Sequence, residues 1–343
     1  MGYRFSILHF AFMREVFMDA FLFAFGAVMP LVLIVALGYY LKKIGLFPAD
    51  LGKSVNKVVF KILIPATVFL NIYKIDDVGD VDPTYIIYVA IVTTAVFLIS
   101  LPLSSLITQK ADRRGVISQV MYRSNYALIG LSVVELICGE GGLAEAALLS
   151  VVSVSLFNAF AVISLSVFKE EKTKINFKGI LVDILKNPLI IAIALGLVCL
   201  LVRKIFVFYE IDFRISHITP VFKAISYISN AATPVALLCL GAQFEFSAIK
   251  TMRKEIICGV LLRTLIVPAL GLGIAYLFFD FSGAMFAAMI AAFATPVSVS
   301  SAPMAQEMGG DGELAGQLVL WTTATSSVTL FAFIYFLRLL GVF

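Results

Sequence analysis

Apolar residues run along this chain in blocks of about 20, the length a helix needs to cross a hydrocarbon layer about 30 Å thick. Ten such spans can be read, at 20–41, 58–73, 84–107, 115–138, 146–168, 187–202, 224–244, 255–279, 281–306 and 314–337. Lys61 and Pro65 interrupt the second, and the third and fifth carry no charge. The pattern predicts an all-α membrane protein. It divides into an N-terminal interfacial extension (1–19), a first five-helix unit (20–168), a basic cytoplasmic loop (169–186) and a second five-helix unit (187–343).

Five spans per half means that the second half starts from the opposite side of the membrane, so a repeat between the halves must be inverted. Two local matches at nearly one offset support a repeat. Ile64-Pro65-Ala66-Thr67 resembles Thr233-Pro234-Val235-Ala236, and Gly142-Leu143-Ala144 resembles Glu313-Leu314-Ala315. Inverted repeats recur in secondary transporters, with the substrate site at the repeat interface.

Composition removes the soluble alternatives. Hydrophobic residues make up 61% and charged residues 14% of the 343, against about 45–50% and about 25% in soluble domains. The net charge of +4 marks no nucleic-acid partner, because the basic residues lie between apolar blocks and form no patch. They act instead as topology signals: sixteen Lys and Arg fall on one side of the predicted spans and eight on the other, which also holds Asp76, Asp77, Asp80 and Asp82. The positive-inside bias places the loops after spans 1, 3, 5, 7 and 9 in the cytoplasm, leaving both termini outside a bacterial-type inner membrane. In the first residues Arg4, His9, Arg14 and Glu15 alternate with apolar positions, as in an interfacial amphipathic helix and unlike a cleavable signal. The four cysteines are far apart in apolar segments, so no metal centre or cofactor is expected.

The fourth and ninth spans break their own apolar pattern. One reads Tyr122-Arg123-Ser124-Asn125 and continues to Gly130 and Ser132; the other reads Thr295-Pro296-Val297-Ser298-Val299-Ser300. Pro296 removes a backbone donor, and nearby hydroxyl and amide groups can satisfy what is freed. Two broken helices at repeat-related positions would aim half-helix N-termini at one cavity, which then prefers anions. Arg123, Ser124, Asn125, Gly130, Thr295, Pro296, Ser298 and Ser300 are therefore the candidate substrate-binding residues. The competing explanation is a pair of kinked helices with no ligand.

Arg123 and Arg263 are the only basic residues deep inside spans. Each either recognises a carboxylate through its guanidinium fork or is buried against Glu135, Glu307 or a carbonyl; the second reading is preferred for Arg263. Glu135, Glu307 and Asp311 follow the two breaks and are candidates for proton coupling or for carboxylates at the membrane edge. They lie too far from the breaks to coordinate sodium there, so sodium coupling is not expected. No Walker loop, nucleophile triad or metal-ligand cluster is present, and the chain is not read as an enzyme.

At these residues the chain resembles the auxin efflux carrier family, which includes plant PIN-formed carriers and bacterial permeases. The resemblance runs from about Ala20 to the C-terminus. It rests on Gly38-Tyr39-Tyr40-Leu41, Pro65 with Phe69-Leu70, Asn187-Pro188-Leu189-Ile190, Pro234 to Gly241, and Ala302 to Met308 leading into Asp311. It implies ten helices in two inverted repeats with broken, crossing helices 4 and 9, a plan shared with bile acid sodium symporters. It also implies a scaffold of helices 1, 2, 6 and 7 beside a moving unit of helices 3–5 and 8–10. Asn125 matches the family's asparagine at the first crossing and Pro296 its proline at the second; Gly130 is followed by Leu131 where members usually have proline.

The implied function is secondary transport of a small organic anion by alternating access, with a carboxylate such as malate, malonate or an indole carboxylate as substrate. Membrane lipid is the other partner, and a homodimer is compatible with the plan. The alternative is a non-transporting receptor or sensor of the same fold.

Overall fold

The computed structural model describes residues 29–30, 32–74, 83–169, 182, 185–211, 213–244, 248–281 and 283–342. The predicted N-terminal extension, the acidic stretch 76–82 and most of the basic loop lie outside these residues. The described residues are mostly helical, without a strand, and contain seven helices long and apolar enough to cross a membrane.

Residues 32–43 form α1. Helix α2, Ala49–Tyr73, runs through the predicted interruption without stopping. The reason lies in Pro65, whose ring clashes with a carbonyl one turn back. The helix widens into a π turn, Val59–Leu63, immediately before Ile64-Pro65 and then resumes. Helix α3, Thr84–Ile107, has the bounds the hydrophobic block predicts.

The fourth predicted span is two helices, α4 (Ala111–Tyr122) and α5 (Leu131–Cys138), the latter preceded by a π turn at Tyr126–Gly130. Then come α6 (Leu143–Val167), α7 (Pro188–Phe208) and α8 (Thr219–Gln243). The start of α7 follows from Asn187-Pro188: the Asn side chain accepts the Leu189 N–H at 2.9 Å, and proline fits the first turn. Helix α9, Arg253–Phe278, repeats the device of α2, with a π turn at Leu262–Ile266 before Val267-Pro268. The ninth predicted span is again two helices, α10 (Gly283–Phe293) and α11 (Ser301–Glu307). Asp311 caps the last helix, α12 (Gly312–Leu339), by accepting the Leu314 N–H at 2.9 Å.

Packing sorts these helices into two groups. Helix α2 packs on α7 and α8. Helix α1 approaches α8 so closely that a Cβ at Gly38 would strike the Leu238 carbonyl, and one at Gly241 the Val35 carbonyl. In the second group α3 packs on α4 and α6, α10 on α5 and α6, and α12 on α9 and α11. Helix α10 is the centre of this group: every residue from Phe286 to Phe293 is buried, as expected for a helix that is apolar on all sides.

Candidate functional site

The two chain breaks meet. Between α4 and α5 the backbone extends at Arg123 (φ −87°, ψ 104°), and between α10 and α11 it runs through Pro296 and Val297. Ser124 and Val297 form an antiparallel β-bridge, in which the Asn125 N–H donates to the Pro296 carbonyl at 2.7 Å. The Val297 N–H donates to the Thr322 hydroxyl of α12 at 3.2 Å. Opened backbone in an apolar span must find partners inside the protein; here the first break donates to the second, and α12 accepts from Val297.

Arg123 leaves the first break and is 2% exposed. Its guanidinium donates to Gln119 Oε1 (2.9 Å), the Met304 sulfur (3.0 Å), Asn158 Oδ1 (2.9 Å) and Ser300 Oγ (2.8 Å). All four acceptors are neutral, and among the described residues no carboxylate pairs with it. Ser300 also stands at the N-terminus of α11, the positive end of that helix dipole, and shares a 2.9 Å hydrogen bond with Ser298.

A cavity of about 500 Å³ opens beside this cation. Arg123, Ser124, Asn125, Ser298 and Ser300 line one wall. The opposite wall comes from α2 and α8, with Thr67, Asn71 and Ser229 among its polar groups, and Lys74 at the C-terminal end of α2. Asn158 and Phe157 of α6 complete it. Thr67 joins the wall helices, donating to the Ser229 carbonyl (3.2 Å) and accepting from the Ser229 hydroxyl (3.1 Å). Two polar atoms in the cavity wall, Ser124 Oγ and Asn125 Nδ2, are buried without a hydrogen-bond partner. In a native structure such orphans point to a ligand or ordered water.

Three predicted site residues lie behind this wall. Thr295 is fully buried and donates its hydroxyl to the Ala291 carbonyl at 2.7 Å. Pro296 contributes its carbonyl to the bridge, and Gly130 packs against Ala291, where a Cβ would come within 3.0 Å of the Ala291 methyl. The three candidate coupling carboxylates are also away from the cavity. Glu135 is exposed and Glu307 is partly exposed at the end of α11. Asp311 caps α12 and pairs with Arg113 at 2.9 Å; Arg113 also pairs with Glu255 at 3.0 Å. Arg263 has the carbonyl partners preferred for it, donating to Thr295, Met121 and Ala292.

The polar residues of α2, α6 and α8 that line the cavity were not anticipated. Their signal was faint: isolated Asn, Ser and Thr in apolar helices, with Thr67 and Asn71 one turn apart on a single face. A second cavity of about 350 Å³ lies toward the other end of α2, lined by Lys53, Asn56, Gln243 and Gln306, and touches Ala236 as the first does.

Comparison with known proteins agrees with a membrane carrier. The family model described as membrane transport protein matches residues 23–334. An uncharacterized transporter of Methanothermobacter thermautotrophicus is 24% identical over 311 residues, covering 88% of this chain and 95% of the relative. An uncharacterized transporter of Methanocaldococcus jannaschii is 26% identical over 233 residues, covering 65% and 70% respectively.

Proposed function

The chain belongs to the membrane transport protein family, and from that premise we propose that it is a secondary transporter of a small organic anion, bound where the two breaks meet. One observation carries the reading: a buried Arg123 that faces a cavity and pairs with no carboxylate among the described residues. Holding a charge at membrane depth costs at least about 2.5–3.5 kcal/mol. A bound carboxylate supplies the missing countercharge, and the orphaned Asn125 Nδ2 can donate to it.

The ten-helix plan with inverted halves, 20–168 and 187–343, belongs to the same proposal. Breaks in the fourth and ninth predicted spans support it. So do the two packing groups, which correspond to a scaffold (α1, α2, α7, α8) and a moving unit holding both breaks. Lys74, at the cavity edge, adjoins the acidic stretch predicted to lie outside, so this cavity is the outer vestibule and the one at Lys53 the inner.

The test is uptake of a panel of radiolabelled mono- and dicarboxylates into proteoliposomes under an imposed potential. Saturable uptake that is lost in Arg123→Gln is expected. Binding without flux would replace transport by a receptor function, and uptake of organic cations would overturn the anion reading.

A further inference from the structure

Arg263 lies in the π turn of α9 and is 0% exposed. Its Nε donates to the Thr295 carbonyl at 2.8 Å, one terminal nitrogen to Met121 at 3.2 Å, and the other to Ala292 at 3.1 Å. These acceptors share a history. In an unbroken helix the Met121 carbonyl would accept from Asn125, but that N–H is diverted to Pro296. The Ala292 carbonyl would accept from residue 296, and proline has no N–H. Thr295 lies past the end of α10, outside any helix. Each carbonyl has lost its helical donor to a break, and one guanidinium replaces the donors of both breaks.

The electrostatics agree with the hydrogen bonds. Met121 and Ala292 sit in the last turns of α4 and α10, and each helix C-terminus carries roughly −0.5 charge. Two such ends match one cation. The planar fork holds its donors in a fixed geometry that a flexible ammonium lacks, and α9 presents it from a helix that is itself continuous.

We propose that Arg263 is the positioning residue of the transport site: it clamps the two breaks together and so sets the placement of Ser124, Asn125, Ser298 and Ser300 without touching substrate. The clamp stands on its own geometry, while its effect on substrate rests on the transport reading.

Hydrogen–deuterium exchange on the detergent-solubilised protein tests the clamp without any ligand. In R263Q, amides of 123–126 and 294–298 should exchange at least about tenfold faster, while α3 and the far end of α12 stay at wild-type rates. R263K keeps the charge but not the fork, and serves if R263Q does not fold; it should quicken the same amides by about threefold to tenfold. Wild-type exchange at the breaks in either variant, or an equal rise in every helix, overturns the clamp. For a substrate found by the flux assay, R263K should raise KM at least about fivefold. An unchanged KM overturns its role in placing the site, and failure of the flux assay itself bears only on the transport reading.

Discussion

Arg123 and Arg263 are both almost wholly buried, and they approach the same pair of breaks from different elements, yet their acceptors differ in kind. Arg263 meets carbonyls at two helix C-termini, where its charge is matched. Arg123 meets only neutral side chains, and among the described residues no carboxylate matches its charge. Burial alone does not assign a role to such an arginine; the acceptors around its guanidinium do. On the proposed reading, one of the two holds the structure and the other holds the substrate.

Four substitutions test this contrast. Arg123→Met should weaken binding of an anionic substrate most, by about 2–5 kcal/mol or at least thirtyfold, the cost of removing one partner of a buried charge pair. Titration of the purified variant against the substrate identified by flux measures it; near wild-type affinity would erase the distinction. Arg263→Met should have the largest effect on stability, about 3 kcal/mol or more, because three buried carbonyls lose their donor together. Its thermal midpoint in detergent should fall further than that of Arg123→Met, whose abandoned Asn158 borders the cavity and can take water. The reverse order would contradict the comparison.

Asn158→Ala removes one of the four acceptors of Arg123 and should cost about 1–1.5 kcal/mol of affinity with little change in midpoint. A large fall in midpoint would make Asn158 a packing residue. Asp311→Asn should do least to the site, about 1–3 kcal/mol in stability and nothing in affinity, because Arg113 keeps Glu255 and asparagine can still cap α12, while its amide no longer accepts from Arg113 Nε. Arg113 is the compensated ion pair against which the other two arginines are judged, so an effect of Asp311→Asn on substrate affinity would show that the pair reaches the site.

Much of the helical layout was legible because lipid imposes simple rules. An uncharged block such as Thr84–Ile107 admits one reading, and Asn187-Pro188 announces a helix start. Breaks were legible where polar residues cluster in an apolar span, as around Pro296, although the pattern did not give the bounds of the helices on either side. The first break needed no proline after Gly130. It opens upstream, at Arg123 to Asn125, and the π turn ending at Gly130 takes up the misfit. Lys61 and Pro65 suggested an interruption because a sequence pattern does not distinguish a stopped helix from one that widens for a turn. The cavity wall on α2 and α8 was hidden for a different reason. A lone Asn71 or Ser229 acquires meaning only from the helix opposite, and that is a property of tertiary packing.

The meeting of the two breaks also sets a schedule for biosynthesis. Arg123 and its acceptor Ser300 are 177 residues apart along the chain, and the backbone bridge from Ser124 to Val297 spans a similar stretch. At about 5–20 residues per second, the first break must wait roughly ten to thirty seconds for its partner to leave the ribosome. During that interval Arg123 has Gln119 and Asn158 but not Met304 and Ser300, and the Asn125 N–H lacks the Pro296 carbonyl. The first half therefore completes its hydrogen bonding only when Pro296 and Val297 arrive.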